Sequence, residues 1–126
     1  MKLTFVETLI FTARWNRRFD DAALRGLQTT LMENPLAGAP IPGCSLLRKM
    51  RFADPGRNQG KRGGVRVIYL HTPEASRVDL ITVYGKDEMD DMSKDDLALL
   101  CSLARSLRAQ LSAEESRRSS RRKGGD

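Results

Sequence analysis

The sequence predicts an α+β fold: a small, mostly antiparallel four-stranded sheet with two N-terminal helices and one C-terminal helix, in the order β-α-α-β-β-β-α. Three observations point there. At 126 residues the chain suits one domain. Apolar residues recur at helical spacing before Asn34 and after Ser93, with β-type alternation between them. The three strand-like runs between residues 46 and 84 have connections too short for parallel crossovers.

Leu3 to Thr8 is rich in β-type residues and reads as the first strand. Residues 9–18 read as a short helix. Asp20 or Asp21 can cap a second helix running to about Glu33, with Leu24, Leu27 and Leu31 on one face. Asn34-Pro35 stops it. Pro35 to Gly43 reads as a loop. Leu46 to Phe52 alternates, with Leu46, Arg48, Met50 and Phe52 toward the core and Leu47, Lys49 and Arg51 opposite. Asp54 to Gly64 is a glycine-rich loop. Val65–Leu70 and Val78–Tyr84 form a hairpin across Thr72-Pro73-Glu74-Ala75-Ser76. Ser93 to Asp96 has the form of a capping box. Leu97, Leu100, Leu103, Leu107 and Leu111 are the expected apolar stripe of the last helix. The domain is expected to span residues 1–111, with 112–126 a basic, disordered tail. The helices are expected to cover one face of the sheet and to leave the other partly open and basic.

The composition removes several functions. Two cysteines and one histidine fall short of a Cys/His zinc site. Cys44 and Cys101 read as buried thiols, too few for a disulfide scaffold. No apolar run approaches the ~20 residues of a membrane span, and the first eleven residues lack the apolar stretch of a signal peptide, so a cytoplasmic protein without membrane contact is expected. The acidic run 87–96 matches no calcium loop, and no metal or other cofactor is expected. His71 stands alone as a titratable base near neutral pH.

The net charge of +6 is unevenly placed. Residues 48–66 carry Arg48, Lys49, Arg51, Arg57, Lys61, Arg62 and Arg66 against Asp54 alone, a net +6 in one stretch. Residues 84–96 carry a net −4. Basic residues so little opposed suit a phosphate-rich partner. Lys49 and Arg51 lie about 6.5–7 Å apart along one strand face. Such a set permits RNA cleavage, because the 2′-hydroxyl is a nucleophile already tethered beside its phosphate. A lysine can take its proton if burial or neighbouring cations favour the neutral amine, and arginines can hold the charge that develops on phosphate oxygens. This chemistry requires no metal.

Several runs together resemble the RelE/ParE superfamily of type II toxins, and its HigB-like branch. They are Phe5-Val6-Glu7-Thr8, Leu27-Gln28 with Leu31 and Asn34-Pro35, and Ile41-Pro42-Gly43. The most specific are Leu47-Arg48-Lys49-Met50-Arg51, Gly60-Lys61-Arg62-Gly63-Gly64-Val65-Arg66-Val67-Ile68-Tyr69 and Val83-Tyr84-Gly85-Lys86-Asp87-Glu88. The resemblance spans residues 3–111. It implies a ribosome-dependent endoribonuclease that cuts mRNA in the A site. It also implies a helix-turn-helix, HigA-like antitoxin, through which alone the toxin would meet operator DNA. The family's basic pair falls on Lys49 and Arg51, its strand arginine on Arg66, and its basic residue after the last strand on Lys86. In RelE an arginine and a C-terminal tyrosine also follow that strand; here Asp87 stands nearby and no tyrosine follows Tyr84. A general acid is therefore not named.

On this reading Lys49 activates the 2′-hydroxyl, Arg51 and Arg66 hold the scissile phosphate, and Lys86 assists phosphate binding or proton donation. Arg48, Lys61, Arg62 and Tyr84 are the further RNA-binding candidates. The basic segment 117–123 has two readings, ribosome attachment and a solubilising end. Two alternatives to a nuclease stay open: a ParE-like gyrase poison, and an inactive homologue that binds only RNA or antitoxin.

Overall fold

A computed structural model describes residues 2–53, 64–85 and 93–124, with side chains up to residue 120. Thr4–Glu7 forms β1, Leu9–Asn16 α1 and Asp21–Glu33 α2. Ala39–Ile41 is β2, Cys44–Phe52 β3, Val65–Thr72 β4, Arg77–Gly85 β5 and Lys94–Gly124 α3. A 3-10 turn at Pro73–Ala75 joins β4 to β5, and Ser76 takes a left-handed conformation with φ 48°.

The class is α+β, but the sheet has five strands, ordered β1-β5-β4-β3-β2. It is mixed, because β1 runs parallel to β5 from Thr4↔Arg77 to Glu7↔Leu80. The extra strand, β2, arises in the stretch expected as a loop. Its three residues pair antiparallel with β3 across a register shift at Pro40/Ile41. Pro40 is tolerated because β2 is the outer strand, where a missing N–H breaks no inner ladder. The β1–β5 partners are distant in sequence and leave no periodic signal, while β2 is only three residues long and carries a proline that argues against a strand.

Thr8 ends β1 and starts α1. Its N–H donates to the Leu80 carbonyl, and its Oγ1 accepts from the Phe11 N–H at 3.0 Å while donating to the Ile81 carbonyl at 2.6 Å. Asp20 caps α2 by accepting from the Ala23 N–H at 2.9 Å. Together α1 and α2 bury Phe11, Trp15, Ala23, Leu27 and Leu31 against Met50, Phe52, Val65, Val67 and Tyr69. Trp15 is the centre of this layer, with ring centroids 5.5 Å from Phe11, 4.4 Å from Phe19 and 5.4 Å from Phe52.

The opposite face, expected to be partly open and basic, is covered in part by α3. Leu47, Ile68 and Leu70 meet Cys101 and Ala104 there. The reason lies in β4, where Val65, Val67 and Tyr69 point to one layer and Ile68, Leu70 and Thr72 to the other. A strand apolar on both faces needs cover on both.

Ser93 caps α3, its Oγ accepting from the Asp96 N–H at 3.1 Å, while Asp95 and Asp96 occupy the first turn. The buried line of α3 is Cys101, Ala104 and Leu111, flanked by Leu97, Leu100 and Leu107. Leu103, expected on the stripe, is 59% exposed, because 100° per residue carries it off the line through 101 and 104. The helix continues to Gly124, through residues expected as a disordered tail. Ala113, Glu114, Glu115 and the arginines that follow are good helix formers, and Arg118 pairs with Glu115 at 3.0 Å. Cys44 and Cys101, expected as thiols, are bonded to one another, with their Cα atoms 5.8 Å apart. The bond ties the start of β3 to α3. Among the described residues no helix is long and apolar enough to cross a membrane.

Candidate functional site

Register decides which basic residues meet. In β3, Arg48, Met50 and Phe52 face the α1/α2 layer, while Leu47, Lys49 and Arg51 face the α3 side. Arg51 lies directly opposite Arg66, and Arg66 directly opposite Tyr84. The next row runs Lys49, Ile68, Thr82. Directly opposed residues have Cα atoms only about 4.5–5.5 Å apart. Lys49, Arg51 and Arg66 therefore form a compact triangle on one sheet face, with Arg51 exposed and the other two half-buried.

The Arg51–Arg66 pairing is unfavourable by itself. Like charges directly across a ladder destabilise it. Among the described residues no carboxylate pairs with Lys49, Arg51 or Arg66. Other arginines of the sheet are satisfied: Arg77 makes a forked pair with the buried Asp79, at 2.8–3.2 Å. Among the described residues the Arg51–Arg66 pair has no such partner.

The backbone around Lys49 is held firmly. Gly38 packs so close that a Cβ there would stand 3.0 Å from the Lys49 carbonyl carbon and oxygen, and 2.9 Å from the Tyr69 ring. Tyr69, fully buried, clamps the same turn: its hydroxyl donates to the Pro35 carbonyl at 2.7 Å and accepts from the Gly38 N–H at 2.9 Å. Burial is the main reason its pKa is raised, partly offset by the Gly38 hydrogen bond and the nearby Arg48 charge.

The other candidates are placed differently. Arg48 turns to the opposite face and donates to the Gly38 carbonyl at 2.6 Å, so it braces the turn from the side away from the triangle. Tyr84 joins the row but is 3% exposed, which leaves no open ring face for a base to stack on. Lys61, Arg62 and Lys86 lie outside the described residues. His71 sits five residues along β4 from Arg66, about 17 Å away. Burial, then the Arg108 and Arg48 charges, lower its pKa, with Glu74 opposing. Arg108 donates to the His71 backbone carbonyl, so this group belongs to the α3 anchor and not to the triangle.

One contributor was missed. Arg14, in the last turn of α1, reaches Thr82 Oγ1 at 3.4 Å, in the row that holds Lys49. The signal was present: Phe11, Arg14 and Trp15 share one helical face, so an arginine adjoins the buried aromatics. Arg18, just past the helix, lies over Gly85, where a Cβ would stand 2.6 Å from its guanidinium.

No protein-family model matches the chain. Two solved structures are similar to the chain in part. A free double mutant of the E. coli toxin RelE is 18% identical with a TM-score of 0.49, covering 71% of this chain and 90% of that one. The intact E. coli RelBE toxin-antitoxin complex is 17% identical with a TM-score of 0.48, covering 67% and 96%. Both are too distant to assign an activity.

Proposed function

We propose that the chain is the toxin of a type II toxin-antitoxin system: a cytoplasmic, HigB-like endoribonuclease that cuts mRNA in the ribosomal A site. The observation that carries this reading is the Lys49–Arg51–Arg66 triangle, three cations on one face with no carboxylate beside them among the described residues. The motif runs around these residues add the family.

In the proposed reaction Lys49, acting in its neutral amine form, accepts the proton of the 2′-hydroxyl. The oxygen attacks the adjacent phosphorus and the bond to the 5′-oxygen breaks; that oxygen takes up a proton from Lys86 or from solvent, which leaves a 2′,3′-cyclic phosphate and a 5′-hydroxyl. Arg51 and Arg66, opposed across the ladder, grip the non-bridging oxygens as charge builds there. Lys86 assists at the phosphate. No metal is required, because the nucleophile is internal and the arginines supply the positive charge. A helix-turn-helix antitoxin is the partner this reading expects, and it would mediate any contact with operator DNA.

The test is expression of the wild type and Arg66→Ala with primer extension on cellular mRNA. New A-site cuts with wild type, lost with Arg66→Ala while the variant melts at the wild-type temperature, support the reading. Undiminished cutting by Arg66→Ala refutes the site. Gyrase-dependent DNA damage without mRNA cuts replaces the reading with a ParE-like poison, and neither outcome leaves a binding protein.

A further inference from the structure

The proposed site accounts for one phosphate, but α1 brings another cation to the same face. The β1 ladder ends at Glu7↔Leu80, so β5 beyond Leu80 has an edge that β1 does not cover. Thr8 turns the chain there, and α1 runs beside that edge with Phe11 and Trp15 buried on the α1/α2 side. Arg14 extends from this helix to Thr82 Oγ1, whose row partners Ile68 and Lys49 lie on the α3 side of the sheet. Its guanidinium thus reaches round the strand edge to the face that carries the triangle.

We propose that Arg14 is a further RNA-binding residue, holding a phosphate next to the scissile one on a single strand that crosses from β3 to β5. The inference rests on the nuclease reading. Three facts support it. Thr82 and Lys49 are separated by two strand spacings, about 10 Å, which is too wide for both to serve one phosphate from the same position. The single 3.4 Å hydrogen bond to Thr82 aims the guanidinium and leaves most of its five donors unused. Among the described residues Arg14 has no carboxylate partner; the nearby Glu7 instead accepts from Thr12 at 2.7 Å. An arginine aimed by a hydroxyl and left without an acid is built to meet a phosphate.

The experiment measures binding of a short 2′-O-methyl oligoribonucleotide, which the enzyme is unable to cut, by fluorescence anisotropy between 50 and 200 mM salt. Each phosphate contact contributes about 0.7 to the log–log salt slope on a single strand. Arg14→Gln is expected to flatten the slope by about 0.7 and to weaken binding about eightfold at 50 mM salt, by the same relation. Arg14→Lys, which keeps the charge, is expected to retain the wild-type slope. An unchanged slope in Arg14→Gln, with Arg66→Ala weakened, overturns the role of Arg14 and leaves the triangle standing. A flattened slope in Arg14→Lys also overturns it, by pointing to packing instead of charge. Failure of the wild type to bind overturns the inference, and the primer-extension test decides the nuclease reading separately.

Discussion

Reducing the Cys44–Cys101 bond is expected to cost this domain a large part of its stability. The two cysteines are separated by 57 positions in the chain. The loop-entropy relation for a closure of that length gives about 4 kcal/mol at 25 °C. Domains of this size have only about 5–15 kcal/mol in total. With an unfolding entropy of about 2.1 cal/mol/K per residue, the loss corresponds to a fall of about 15 °C in Tm. The assay is thermal unfolding followed by circular dichroism, with and without a thiol reductant. The wild type is expected to melt about 15 °C lower when reduced. Cys44→Ala/Cys101→Ala is expected to melt near the reduced wild type and to ignore the reductant. A shift of under about 2 °C on reduction, or an equal response from the double variant, would refute the reasoning. With the bond reduced, α3 depends on Leu97, Ala104, Leu107 and Leu111 to stay on the sheet.

Tyr69→Phe removes the hydroxyl that bridges Pro35 and Gly38 and orphans the Gly38 N–H. A loss of about 1–3 kcal/mol in urea unfolding is expected, and an unchanged midpoint would show that the bridge is idle. His71 has a lowered pKa in the fold, so the unfolded chain takes up its proton first. Its contribution is present above the unfolded value of about 6.5 and declines as pH falls through the lower folded value. Wild-type stability should therefore drop between pH 7.5 and 5.5, and His71→Gln should flatten that drop; parallel profiles would remove His71 as the cause.

Much of the local structure was legible in the chain. Asp20 and Ser93 marked the helix starts, Asn34-Pro35 marked a stop, and alternation through Leu46–Phe52 put Lys49 and Arg51 on one face. These are short-range effects: a cap bonds a backbone group within three residues, and a strand changes face at every step. Two errors were long-range: the parallel β1–β5 pairing and the cover that α3 gives the second face both join distant segments. The small strand β2 pairs with its chain neighbour β3, and its proline hid it.

The candidate site divides in the same way. The sequence by itself determined the basic pair Lys49 and Arg51, because their shared face follows from strand geometry. It also concentrated the positive charge in residues 48–66. Only the tertiary structure decided that Arg66 lies directly opposite Arg51, that Arg48 turns away to Gly38, that Tyr84 is buried, and that Arg14 comes round the edge of β5. Those placements depend on register and on the path of α1. Both are settled by which apolar surfaces pack best across the whole chain, and a local pattern of residues does not carry that information.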